Sequence, residues 1–217
     1  DVTRKKRPRR IPIAREGWPF VLGPAAVAAG LWLTGHRRLA APFAAASLAS
    51  LGFFRDPERE VAATANAVLA PADGTVREVV DDVDDEWVGP AVRVSIFLSP
   101  LDVHINRAPI GGLVAATNHQ RGRFVAAWKA EASRVNERCV INLQGDTARV
   151  TVVQIAGMAA RRIVCRLREG DKVAAGDRIG MIRFGSRTDC LMPRGTEIRV
   201  RQGARVVGGI TVLGLLT

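Results

Sequence analysis

The hydrophobic pattern of this chain changes period once, near Pro57, and that change limits what it can fold into. Before it lie two nearly unbroken apolar runs, Trp18 to Thr34 and Leu39 to Phe54, separated by Gly35-His36-Arg37-Arg38. After it come short apolar or alternating stretches: Val68-Leu69, Val76 to Val80, Ala91 to Leu98, Val140 to Leu143, Ala148 to Ile155, Ile163 to Leu167, Arg178 to Phe184, Glu197 to Val200 and Val206 to Leu213. Runs of this length, bounded by Gly, Pro and Asp, read as strands. The pattern predicts a mainly β domain over residues 57–217, sandwich-like or barrel-like. A basic tail and a hydrophobic helical hairpin over residues 1–56 precede it. A chain of 217 residues holds one sizeable domain with such an appendage. It starts at Asp1 and not at Met, so its N-terminus reads as processed or incomplete.

The two apolar runs are slightly shorter than the ~20 residues of a full membrane span, and both are rich in alanine. Two short spanning helices, a hairpin re-entering one leaflet and a buried soluble hairpin all fit. Trp18 and Trp32 near the run ends suit interfacial anchoring. A second apolar run follows the first and no cleavage site separates them, which argues against a signal peptide. Within residues 1–16, seven basic side chains stand against Asp1 and Glu16, a net +5 of the chain's +11. Such a tail suits an anionic membrane or nucleic acid. The apolar runs behind it favour the membrane, and no zinc-finger, RNA-binding or helix-turn-helix pattern supports nucleic acid. The positive-inside rule keeps the tail cytoplasmic, so the β domain is expected on the cytoplasmic face of the cell's inner membrane.

Inside the β domain, Arg123 to Arg134 has helical spacing, with Phe124, Ala127, Trp128, Ala132 and Val135 on one face. Asp81 to Glu86 reads as a solvated acidic hairpin tip, without the pattern of a calcium loop. Cys139, Cys165 and Cys190 lie far apart in sequence and fit neither a metal spacing nor a disulfide framework; they read as small buried hydrophobes in a reducing compartment. No metal site is expected. Gly170 to Gly180 reads as turn, strand and turn, similar to the hammerhead barrels of biotinyl and lipoyl carriers, but without their attachment lysine.

Three motifs stand out in order: Pro71-Ala72-Asp73-Gly74, then Phe97-Leu98-Ser99-Pro100-Leu101-Asp102-Val103-His104, then Arg183-Phe184-Gly185-Ser186-Arg187. Each alone is weak. A serine after glycine, or an Asp-Gly, is ordinary turn chemistry, and a lone histidine after a strand is commonly structural. Together they resemble the phosphatidylserine decarboxylase family. Phe-Gly-Ser-Arg replaces the usual Leu-Gly-Ser-Thr, as in its short, archaeal-type branch. Asn136-Glu137-Arg138 resembles a further short motif of that family.

The resemblance implies a chain that cuts itself between Gly185 and Ser186. The Ser186 hydroxyl attacks the Gly185 carbonyl, the resulting ester is eliminated, and the residue left at position 186 becomes a pyruvoyl group. That ketone is the electron sink for loss of carbon dioxide from phosphatidylserine, giving phosphatidylethanolamine. Glycine suits the scissile position because it lacks a Cβ and tolerates strained backbone. A hydroxyl nucleophile needs a base and a group that orients the base, and the matched candidates are His104 and Asp73. Many relatives carry a second histidine three residues after the first; Arg107 stands there, a candidate for binding the carboxylate or phosphate of the substrate. His104 is then expected to serve both self-cleavage and decarboxylation, with His119 as the reserve. Partners are the lipid, the bilayer, the two chains left by cleavage and further copies of the chain. Two other readings are a membrane-anchored binding module without catalysis and a serine hydrolase that keeps Ser186. The second lacks a Gly-x-Ser-x-Gly elbow.

Overall fold

The computed structural model describes residues 12–61, 64–125, 135–157, 162–183 and 186–217. The chain divides into two compact units, Asp1–Glu58 and Arg59–Thr217.

The first unit contains α1 (Trp18–Leu33) and α2 (Arg37–Phe53). Ser47 Oγ donates to the Val21 carbonyl across the pair at 2.9 Å. Leu22, Trp32, Leu33 and Leu48 are exposed. Among the described residues no helix is long and apolar enough to cross a membrane.

The second unit is mainly β. Its largest sheet has eight strands: β2 (Gly74–Asp85), β3 (Gly89–Leu98), β5 (Gly112–Gln120), β6 (Arg138–Gln144), β7 (Arg149–Ala156), β9 (Lys172–Val173), β11 (Ser186–Pro193) and β13 (Arg205–Val206). They run in the order β13-β2-β3-β11-β7-β6-β5-β9, and every pairing is antiparallel. Bulges in β2 and β5 curl it. Two smaller sheets have three strands each. One is β4 (Ile105–Arg107), β10 (Arg178–Ile182) and β8 (Ile163–Cys165), in that order. The other is β1 (Ala67–Leu69), β14 (Val212–Leu215) and β12 (Glu197–Ile198).

Period-two alternation sorts the large sheet into two faces. Val92, Val94, Ile96 and Leu98 of β3 enter the apolar core with Cys190 and Met192 of β11 and Val152 of β7. Arg93 and Ser95 therefore share the opposite face with Arg187 and Asp189.

Several sequence expectations change. The acidic run Asp81 to Glu86 is not a tip: β2 continues through Asp85, and the turn is at Glu86–Val88. The run Val206 to Leu213 is two strands, β13 and β14, separated by a turn at Gly208-Gly209. The helix expected at Arg123 to Arg134 falls mainly on residues 126–134, outside the described residues. Strands β4 and β5 carry no expectation from the sequence.

Candidate active site

Ser186 opens β11, the strand between β3 and β7. Its register partners are Leu98 on one side and Ala156 on the other. Alternation puts Ser186 on the core-facing side with Thr188, Cys190 and Met192. It is fully buried, and its Oγ has no hydrogen-bond partner among the described residues. A buried hydroxyl without a partner costs about 1–3 kcal/mol, so its retention at this position needs a chemical reason. Gly185 lies outside the described residues.

The β3–β4 connection supplies His104, which is fully buried. Its loop is closed by Asp102, whose carboxylate accepts the Ser99 amide and hydroxyl, each at 2.7 Å, and Arg205 Nη2 at 2.6 Å. Burial pushes the Asp102 carboxyl up, but the Arg205 and Ser99 bonds outweigh it and hold it below its ordinary value. The Asp102 carbonyl then receives His104 Nδ1 at 2.9 Å. A carbonyl only accepts, so Nδ1 carries the proton and the neutral ring has its lone pair on Nε2.

Backbone and side-chain bonds tie this loop to β11. Ile182 N, at the end of β10, donates to the His104 carbonyl at 3.3 Å. Asn106 Nδ2 donates to Thr188 Oγ1 at 3.0 Å, and Gln154 Nε2 donates to Asn106 Oδ1 at 2.7 Å. His104 precedes Asn106 by two residues, as Ser186 precedes Thr188, so the Asn106–Thr188 bond ties together the two segments that carry them. On the far side of Ser186, Asn136 Nδ2 donates to the Ala156 carbonyl at 2.7 Å. Asn136 is buried and fixes the register partner of Ser186.

Asp73 does not bond to His104. Its carboxylate makes a two-point pair with Arg59, at 2.6 and 2.7 Å, and accepts Gly208 N at 2.8 Å. Its turn still reaches the site through Pro71, whose carbonyl accepts Arg107 N at 2.8 Å. Gly74 allows β2 to close on β3: at φ +149°, an added Cβ would lie 2.1 Å from the Phe97 carbonyl oxygen. Arg107 is 1% exposed and donates to the Gly176 carbonyl at 3.0 Å. The Arg107 side chain lies inside the unit, under Gly209 and Gly176. His119 is on β5, with β6 and β7 between it and β11, roughly 14 Å at the spacing of strands. It pairs with Glu137 at 3.1 Å, which does not suit a base for Ser186.

Arg187 was legible only as a departure from a motif. It is 4% exposed. Its Nε donates to Asp189 Oδ1 at 2.6 Å, and Nη2 donates to Glu78 Oε1 and Ser95 Oγ, each at 2.8 Å. Burial disfavours the charge, but Asp189 and Glu78 raise the guanidinium pKa further above its ordinary value. The side chain holds the first residues of β11 to β3 and β2.

A family model described as phosphatidylserine decarboxylase matches residues 48–214. The phosphatidylserine decarboxylase proenzyme of Symbiobacterium thermophilum is 47% identical over 210 residues, covering 96% of this chain and 97% of that protein. The proenzyme of the same name from Streptomyces avermitilis is 42% identical over 208 residues, 93% of each chain. That of Geobacter metallireducens is 41% identical over 211 residues, covering 94% of this chain and 97% of that protein.

Proposed function

We propose that this chain, which belongs to the phosphatidylserine decarboxylase family, is a proenzyme that cuts itself between Gly185 and Ser186 and then converts phosphatidylserine to phosphatidylethanolamine and carbon dioxide. The observation that carries the reading is Ser186 Oγ, buried without a partner among the described residues at the head of a central strand. His104 leads into β4, whose Asn106 bonds to Thr188 of the Ser186 strand, and its Nδ1 is held by the Asp102 carbonyl.

In self-cleavage the Ser186 hydroxyl attacks the Gly185 carbonyl, and His104 Nε2 accepts its proton. Asp102 orients the imidazole through its carbonyl while its carboxylate fixes the loop. Asp73 acts through the 71–74 turn, which carries Asn106 and Arg107 on the Pro71 carbonyl. Arg107 ties β4 to Pro71 and to Gly176.

The residues around position 186 suit a pyruvoyl group. The side chain there is small and buried, and a strand beginning at 186 keeps its ladders to β3 and β7 and its Arg187 clamp after the cut. Bound there, the ketone supplies the electron sink for decarboxylation. His104 then returns a proton to the substrate carbon.

Residues 1–56 associate with the cytoplasmic face of the cell's inner membrane. Two observations support this: the net +5 at the start of the chain and the exposed Leu22, Trp32, Leu33 and Leu48. The C-terminal part keeps its hammerhead-like reading, with Gly170 and Gly176 at positive φ on either side of β9.

The test is Ser186→Ala in the full chain, with phosphatidylserine in mixed vesicles. It should remain one chain and release no carbon dioxide. A variant that still turns over lipid would overturn the reading.

A further inference from the structure

Two of the three cysteines meet. Cys139 is on β6 of the eight-stranded sheet and Cys165 ends β8 of the sheet that also holds β4 and β10. The two strands pack together, and the two thiols lie close enough to perturb each other. Cys139 and Cys190 belong to the buried apolar core, as the sequence suggests, and Cys165 packs against it. Both line a cleft of about 390 Å³ together with Thr117, His119, Arg162 and Leu167. Cys139 is 1% exposed, and Cys165 is partly exposed at the cleft.

The pair is polarised. Cys139 beside it lowers the Cys165 thiol to about 7, while Cys165 and burial push Cys139 up. Cys165 is therefore the thiol of the pair that ionises more readily. Thiolate character and access together make a thiol reactive toward oxidants. Cys190 lacks both: burial, then Asp189, push its thiol well up.

Each cysteine stands one rung from the active site. Cys165 is in register with Gly180 of β10, two residues before Ile182, which bonds to the His104 carbonyl. Cys139 is in register with Gln154 of β7, which holds Asn106. At Gly180 the two sheets approach so closely that a Cβ would lie 2.8 Å from Gln154 Nε2.

We propose that Cys139 and Cys165 are a peroxide-reactive dithiol whose oxidation fastens the sheet leading to His104 onto the sheet holding Ser186. The Cys165 thiolate attacks one oxygen of hydrogen peroxide. The O–O bond breaks, and the departing hydroxide takes a proton to become water. Cys139 sulfur then attacks the sulfenic sulfur, the S–O bond breaks, and that hydroxide leaves with the Cys139 proton as a second water. Two thiols lose two electrons, and one peroxide is reduced to two waters.

The test uses the full chain treated with hydrogen peroxide, then alkylated under denaturing conditions and mapped without reductant. The expected product is a peptide pair joined through Cys139 and Cys165, with Cys190 alkylated. In untreated protein, Cys165 should react with iodoacetamide at neutral pH on the order of tenfold faster than Cys190. Cys139→Ser should stop at a Cys165 sulfenic acid that dimedone traps. The oxidised protein should melt at a higher temperature than the reduced protein, with the shift reversed by dithiothreitol and absent from Cys165→Ser. Oxidation of Cys190 at the same rate, or Cys165 sulfinic acid beside an unreacted Cys139, would overturn the proposal. These readouts are thiol state and melting. Repeating them in Ser186→Ala separates this proposal from the decarboxylase reading.

Discussion

Replacing Arg187 with Met tests whether the ion cluster beside Ser186 holds the strand in place. The substitution keeps much of the side-chain volume and removes the charge. Asp189 would lose both of its bonds to the guanidinium, and its side chain is only 4% exposed. Glu78 would lose one contact but keep Arg93 at 3.0 Å, and it is 37% exposed, so its share is small. The expected loss is therefore that of one stranded buried carboxylate, about 3–5 kcal/mol. For a chain of this size about 2–4 °C accompanies each kcal/mol, so the melting temperature should fall by about 6–20 °C. Removing both charges, as in Arg187→Met with Asp189→Leu, should recover most of the loss, because no buried charge then lacks a partner. The assay is thermal and urea unfolding in the Ser186→Ala background, so that self-cleavage does not enter. A single variant within about 1 kcal/mol of its parent, or a double variant no better than the single one, would refute the reasoning.

Three further outcomes follow from the same geometry. His104→Ala should slow chain separation on a gel time course and also lower carbon dioxide release per cleaved chain; loss of only one would divide the two steps between different groups. Gly74→Ala should lower stability by several kcal/mol in urea unfolding, on the order of 3 or more, since the added Cβ meets the Phe97 carbonyl in backbone that favours glycine. The folded Asp102 pKa lies below 3.8, so its contribution is complete above that pH and is lost as pH falls through the lowered value. Asp102→Asn should accordingly destabilise at neutral pH, and its deficit should shrink in unfolding measurements below pH 3.8.

Much of the β domain was legible because its core strands have one apolar face. In β3, Val92, Val94, Ile96 and Leu98 alternate with Arg93, Ser95 and Phe97, and β6 and β7 follow a similar rule. The strand that matters most did not. In Ser186-Arg187-Thr188-Asp189 both faces are polar, and each is satisfied by residues distant in sequence: Asn106 on one side, Glu78 and Ser95 on the other. A local pattern cannot report partners that only the sheet assembles. The acidic stretch in β2 misled for the opposite reason, since a long hairpin arm carries charge without leaving the ladder. Motif order singled out Ser186, His104 and Asp73 as candidates, but not how they are held. Asp102 orients the histidine through a carbonyl, which carries no sequence signature. Asn136 acts on the Ser186 partner Ala156 across two strands. The burial of Arg107 under Gly176 and Gly209 likewise has no sequence signature.

The central claim is that Ser186 is a latent prosthetic group, and intact mass under denaturing conditions tests it most directly. The account predicts two chains, residues 1–185 and residues 186–217, with the smaller one lacking a free amine at its start and carrying the mass of a pyruvoyl group in place of serine. It also predicts a single uncut chain for Ser186→Ala. One full-length species that decarboxylates phosphatidylserine at the rate of the cut protein would contradict it.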